Sequence, residues 1–252
     1  MKTSFFALGW RTLWRDVRAG ELRLLIVAVT LAVAALTAVG FFADRLKGGL
    51  ARDARQLLGG DAVVGSDRPV PPELVAQARA LGLASATSTS FPSMGRAPDE
   101  KGGATRLVSV KAVTPGYPLR GQLQLKDRPD GPVLTEASTP KPGTVWVDAA
   151  LLDALQLKVG DPLLLGDTSL VIARLIVIEP DRGTGFSSFA PRVMLAESDL
   201  AATGLVQPSS RINYRFAVAA PKGTDDAVVR AFVRWVDDRV KADGLRGLRV
   251  ES

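Results

Sequence analysis

The sequence predicts an α+β protein: one membrane-spanning helix, then a soluble domain of two βαβ-like halves with a β-rich lobe inserted between them. Three observations carry this expectation. Residues 24–43 read LLIVAVTLAVAALTAVGFFA, with no charged side chain and no proline. The segments before 126 and after 209 both alternate strand-like and helix-like apolar periods. The stretch between them is dominated by turn residues and short apolar runs.

The span comes first. About 20 residues at about 1.5 Å rise make a helix of roughly 30 Å, the thickness of a bilayer's hydrocarbon core. In lipid a helix satisfies its own backbone hydrogen bonds, so a single segment crosses unaided. A cleaved signal peptide is the alternative, with small residues at Ala38-Val39-Gly40, but the apolar run exceeds the roughly 7–15 residues of a signal core. Arg11, Arg15, Arg18 and Arg23 precede the run, and Arg45, Lys47, Arg52 and Arg55 follow it. That tie leaves orientation undecided by charge bias. Ala28, Ala32 and Ala35 share a helical face, with Gly40 further along; such small residues let a second helix approach closely, and they are the candidate helix-packing positions.

Residues 1–23 read as an amphipathic interfacial segment. Phe5, Leu8, Trp10, Leu13, Trp14 and Val17 alternate with Arg11, Arg15 and Arg18. Tryptophan beside arginine suits the headgroup layer, which makes Trp10, Trp14, Arg11, Arg15 and Arg18 the candidate anchors to membrane lipid. Residues 44–58 keep a helical apolar period through Leu46, Leu50, Ala54, Leu57 and Leu58, weakened at Gly48-Gly49. They are expected to form a stalk that continues the span.

The first half of the domain, 59–125, opens after Gly59-Gly60 with a strand over 61–66. A helix follows with Pro71 and Pro72 in its first turn, Leu74, Val75, Ala78 and Leu81 as its stripe, and Gly82 at its stop. Strands from Ala84 and over 105–113 flank the turn RAPDEKGGA. The inserted lobe, 126–209, begins with a Pro- and Asp-rich loop over 126–143. It then has a strand from Thr144, a short helix from Ala149, strands over 161–165 and 169–178, the loop EPDRGTGFSSFAPRV, and a strand–helix–stop over MLAESDLAATGLV. The second half, 210–252, has a strand from Ser210 and the cleanest helix in the chain. Thr224 is its expected N-cap, Asp225 and Asp226 suit its dipole, and Val228, Val229, Phe232, Val236 and Val240 form its stripe. A last strand begins at Leu248.

Composition excludes several function classes. With His 0 and Cys 0, the chain holds no Ser-His-Asp triad, no imidazole or thiolate metal site, no thiol nucleophile and no disulfide. The net charge of +6 is spread along the chain with few aromatics, which speaks for a solvated surface near anionic lipid and against nucleic acid. No GxxxxGK[ST] segment offers an ATP site. GTGFSSF, from Gly183, lacks the spacing of a nucleophile elbow and has no histidine to activate Ser187 or Ser188. No catalytic residue, cofactor or metal is therefore expected. Asp181 and Arg182 are read as a turn, or as a pair with each other. Phe186 and Phe189 are the candidate contacts for a partner or cargo; the alternative is that they fold back over the sheet.

Four segments, in this order, resemble the FtsX-like permease family of ABC transporters with its MacB-like periplasmic core domain, and within it the large YbbP-type permeases. They are WRDVRAGELRLLIVAVTLAVAALTAVGFFADRL, LLGGDAVVGSDRP, EPDRGTGFSSFAPRVML and SRINYRF. The resemblance implies a bacterial inner-membrane protein with a cytoplasmic N-terminus and a periplasmic domain. It implies a separate ABC ATPase subunit as partner, with movement transmitted along the first helix, and a hydrophobic or lipid-like cargo or a periplasmic partner protein. Such permeases carry further transmembrane helices, so the chain ending at Ser252 is expected to be an N-terminal portion. The competing expectation is a single-pass, membrane-anchored periplasmic binding or scaffold protein.

Overall fold

The structure, a computed structural model, describes residues 9–10, 14–15, 21–183, 189–207, 210–221, 223, 226–243 and 247–251. The chain forms two compact units, Met1–Arg52 and Asp53–Ser252. Gly9, Trp10, Trp14 and Arg15 are helical and exposed. Helix α1 (Glu21–Leu58) is a single element of 38 residues. From Arg23 to Gly48 every residue is exposed, and the helix is long and apolar enough to cross a membrane by length and composition. Its two hydroxyls are satisfied within it: Thr30 and Thr37 donate to the carbonyls of Ile26 and Val33 at 2.7 and 2.6 Å.

The second unit continues in chain order as β1 (Ala62–Ser66), α2 (Pro72–Ala80), β2 (Ala84–Arg96), β3 (Thr105–Val113), β4 (Leu123–Lys126), β5 (Leu134–Glu136), β6 (Thr144–Asp148) and α3 (Ala149–Leu155). After these come β7 (Pro162–Leu165), β8 (Thr168–Ile178), β9 (Arg192–Ala196), α4 (Glu197–Leu200), β10 (Asn213–Ala219), α5 (Ala227–Asp243) and β11 (Arg249–Glu251). The result is a mixed α+β fold behind one apolar helix.

Two arrangements share one sheet. At one end the order is β11-β1-β10-β2, antiparallel throughout. β1 and β2 are thus parallel with β10 between them, and β10 and β11 are parallel with β1 between them. These are two interlocked split βαβ units, the ferredoxin-like arrangement. Helices α2 and α5 cover one face, where Leu74, Ala78, Phe232 and Val236 pack on Ala62, Val64, Phe216 and Val218. The N-cap and first dipole residue expected at Thr224 and Asp225 lie outside the described residues.

At the other end, β2-β3-β9-β6-β8-β7 pair in turn and β7 returns to β2 through Gly95 and Arg96, closing a six-stranded ring. Strand β2 serves both arrangements. Its 13 residues pair with β10 over 84–90 and with β3 over 88–96. Alternation sends Val108, Val110, Val145, Val147, Leu163, Leu165, Ile172, Val193 and Leu195 into the ring, which Leu151, Leu152 and Leu155 of α3 help to fill. The loop expected over 126–143 contains β5, and the unforeseen β4 precedes it. Leu123 and Leu125 of β4 are buried in a third cluster with Tyr117, Trp146, Ile176 and Met194, and β5 then pairs with the free side of β4. A three-residue strand among prolines is too short to show a period.

Candidate functional site: a charge network behind the end of α1

The alternation that fills the ring leaves an outward row of polar residues. Strand β3 contributes Ser109 and Lys111. Parallel pairing sets Arg192 of β9 beside Ser109, and Asp148 ends β6 close by. Residues 179–182, just after β8, lie over this row.

The Lys111 ammonium donates to Glu179 Oε1 at 2.7 Å, Asp181 Oδ1 at 2.8 Å and the Tyr117 hydroxyl at 2.8 Å. It also stands 4.5 Å from the centre of the Tyr117 ring. Tyr117 donates its proton to Asp181. The Arg192 guanidinium donates to Glu179 Oε2 at 2.7 Å and to the Ser109 hydroxyl at 2.6 Å, while its backbone N–H donates to Asp148 at 2.9 Å. Arg182 forks onto Asp148. The Lys111 and Glu179 side chains are 3% and 0% exposed. Two cations therefore balance two carboxylates out of water, and every buried side-chain polar atom among the described residues has a partner.

Burial pushes the Tyr117 hydroxyl well above its ordinary value, and the charges of Asp181 and Glu179 push it further. Burial also acts to raise Asp181. The Lys111 charge and the hydrogen bonds from Lys111 and Tyr117 outweigh it, so the carboxyl titrates below its ordinary value. The network holds acceptors and donors in fixed partnership. It offers no free nucleophile, and its chemistry is that of a rigid polar weld.

Asp181 also touches the chain where α1 ends. Gly59 adopts φ +74, and a Cβ built on it lies 3.4 Å from Asp181 Cβ and Cγ. The Gly59 carbonyl accepts the N–H groups of Leu119 and Arg120 at 3.0 and 3.1 Å. Arg120 forks onto Asp61 at 2.8 and 2.7 Å and donates to the Ala220 carbonyl at 2.6 Å. Asp61 in turn accepts the Ala220 N–H at 2.8 Å. Gly121, at φ +78, lets Gln56 and Pro180 come together: a Cβ there would lie 2.9 Å from Pro180 Cβ and 3.0 Å from the Gln56 carbonyl. Arg55 pairs with Asp226, whose carboxyl its hydrogen bond lowers. Residues 55–61 are thus held to β10, to the start of α5 and to the 117–121 and 179–181 segments.

The residues singled out from sequence lie elsewhere. Ala28, Ala32, Ala35 and Gly40 lie on α1 and are exposed, as are Trp10, Trp14 and Arg15. Arg11, Arg18 and Phe186 fall outside the described residues, as do Ser187 and Ser188. Phe189 is 85% exposed and lines a hollow with Pro92 of β2 and Leu107 of β3. Asp181 and Arg182 do not pair with each other; they take Lys111 and Asp148 respectively. Sequence reasoning missed the network itself. Its signals were a lysine in the middle of the otherwise apolar and hydroxylic TRLVSVKAV, and two acids immediately after the longest apolar strand.

No family model matches the chain. It is 33% identical, over 233 residues, to the "Uncharacterized ABC transporter permease YbbP" of Escherichia coli (strain K12), a match covering 92% of this chain and 27% of that protein. The chain thus spans about a quarter of the length of this relative. Among solved structures it is similar, at 11% identity and TM-score 0.46, to the periplasmic region of MacB from Actinobacillus actinomycetemcomitans, over 80% of this chain and 93% of that one. It is also similar to the extracellular domain of the noncanonic ABC-type transporter YknZ from Gram-positive bacteria, at 11% identity and TM-score 0.46, over 76% of this chain and 100% of that one. Neither structure assigns a role to a residue here. By the identity that runs through nearly its whole length, the chain belongs with the ABC transporter permeases of the YbbP type.

Proposed function

We propose that this chain is a non-catalytic part of a permease subunit in which α1 carries movement produced by a separate ATPase subunit into the domain of residues 59–252. The observation that supports this reading most directly is the continuity of α1. One helix runs from Glu21 through the apolar span to Leu58, and the residues that follow it are bolted to the domain by the Gly59 carbonyl, the Arg120–Asp61 fork and the charge network. A polar weld of this kind deforms little, so displacement of the helix end is passed on rather than absorbed.

In this reading residues 1–23 lie along the cytoplasmic face of the inner membrane, 24–43 cross it and 44–58 form a stalk. The periplasmic domain comprises halves 59–125 and 210–252 with the lobe 126–209 inserted. Ala28, Ala32, Ala35 and Gly40 face further transmembrane helices of the permease. Trp10, Trp14, Arg11, Arg15 and Arg18 hold the interface, and Phe186 and Phe189 meet a hydrophobic or lipid-like cargo or a periplasmic partner.

Co-expression with the ABC ATPase subunit, followed by purification through a tag on either protein in mild detergent, tests the assignment. Co-purification and ATPase stimulation by the permease are expected. The Asp61→Ala variant should keep the complex and lose the stimulation. Failure to co-purify overturns the assignment, and stimulation undiminished in Asp61→Ala overturns the transmission route.

A further inference from the structure

The sheet of the split βαβ lobe has a second face, opposite α2 and α5. Alternation places Val63 and Gly65 of β1, Arg215 of β10, and Arg249 and Glu251 of β11 on it. Pairing sets Arg249 opposite Gly65 and Gly65 opposite Arg215. Two arginines thus flank a residue with no side chain. With strands about 4.8 Å apart, their Cα atoms stand roughly 10 Å from each other, within reach of two arms closing on one group. A Cβ on Gly65 would meet only the Arg249 carbonyl, at 3.9 Å, so the floor is open. The hollow has a volume of about 380 Å³, and Ser66, Asp67 and Asn213 also line it. Among the described residues neither arginine is held in a salt bridge, while the Arg215 charge reaches Asp181 and helps to lower its carboxyl. Arg215 donates only a long hydrogen bond, 3.4 Å, to the Leu58 carbonyl.

We infer that this hollow binds a phosphodiester. Guanidinium forks arriving from two strands present donors in different directions. A tetrahedral oxyanion accepts from several directions, whereas one fork already matches a planar carboxylate. The Asn213 amide, two residues before Arg215 and on the same face, extends the donor set. Asp67 and Glu251 line the hollow as well and oppose a second negative charge. They favour a singly charged diester over a doubly charged phosphate. The inference does not depend on coupling to an ATPase.

The test is calorimetric titration of the whole chain in detergent at low salt, where charge-assisted binding is least screened. One arm uses glycerophosphoglycerol, a soluble diester. A second uses phosphatidylglycerol in mixed micelles, and a third uses inorganic phosphate. The diester is expected to bind more tightly than phosphate, with Arg249→Gln weakening it about tenfold or more. Glu251→Gln should narrow the gap between diester and phosphate. Arg215→Gln is the second variant, should the short strand β11 not tolerate the first; circular dichroism checks the fold of both. Stronger Arg249-dependent binding of the micellar lipid identifies a headgroup as the source, and equal binding identifies a soluble diester. Absence of saturable binding in the native chain, or binding undiminished in both arginine variants, overturns the inference.

Discussion

From Arg23 to Gly48 helix α1 turns leucine, valine and phenylalanine outward, whereas the domain of residues 53–252 hides Lys111, Glu179, Asp181 and Arg192 among strands. The two regions invert each other's polarity because they answer to different solvents. A helix closes its own backbone hydrogen bonds and can offer an apolar surface to lipid. A domain in water can bury charge only in matched, hydrogen-bonded sets. The apolar side chains of α1 therefore need a surrounding phase, while the charges of the network need one another.

The contrast breaks most severely if one member of the network is removed. Glu179→Ala takes the carboxylate from the buried Arg192 guanidinium and leaves Lys111 with the Asp181 carboxylate alone, and it should lower domain stability by about 3–5 kcal/mol, read as the shift in urea midpoint. An aspartate at Val33, near the middle of the span, should cost about 3 kcal/mol in membrane insertion and move protein into the alkaline carbonate supernatant. Asp61→Ala leaves the half-buried Arg120 fork and the Ala220 N–H unmatched and should destabilise by about 1–3 kcal/mol. The partly exposed Arg55–Asp226 pair marks the boundary between the two regimes: a double-mutant cycle should give under about 1 kcal/mol, decreasing with salt.

The pH dependence sharpens the same contrast. Asp181 titrates below its ordinary value of 3.8 in the folded domain, so its stabilisation is whole above that value and is lost as pH falls through the lower one. Tyr117 titrates above its ordinary 10.0, so stability declines once pH passes 10.0 and the unfolded chain begins to ionise. Thermal melts should be nearly level between about pH 5 and 9 and fall at both ends. Tyr117→Phe should remove the alkaline decline while the acid one persists.

Local elements were legible where one side chain period persists. The run 24–43, the stripe of α5 and the alternation of β3 announce themselves in order along the chain. The strands β4 and β5 were not, because a few residues among prolines carry no period. The network was half legible. Lys111 in a strand and the acids at 179 and 181 are visible anomalies, yet Lys111 meets partners 68 and 70 positions away. The Arg120–Asp61 fork has a separation of 59 and no local sign at all.

By itself the sequence determined an apolar segment long enough to cross a membrane, the absence of histidine and thiol chemistry, and the likeness to a permease family, since these rest on composition and short-range order. Only the tertiary structure decided that β2 serves both arrangements of one sheet, that the ring closes through β7, and that Asp181 belongs to Lys111 rather than to its neighbour. Strand register brings distant positions within hydrogen-bonding distance, and once water is excluded each buried charge must take whichever partner the register supplies.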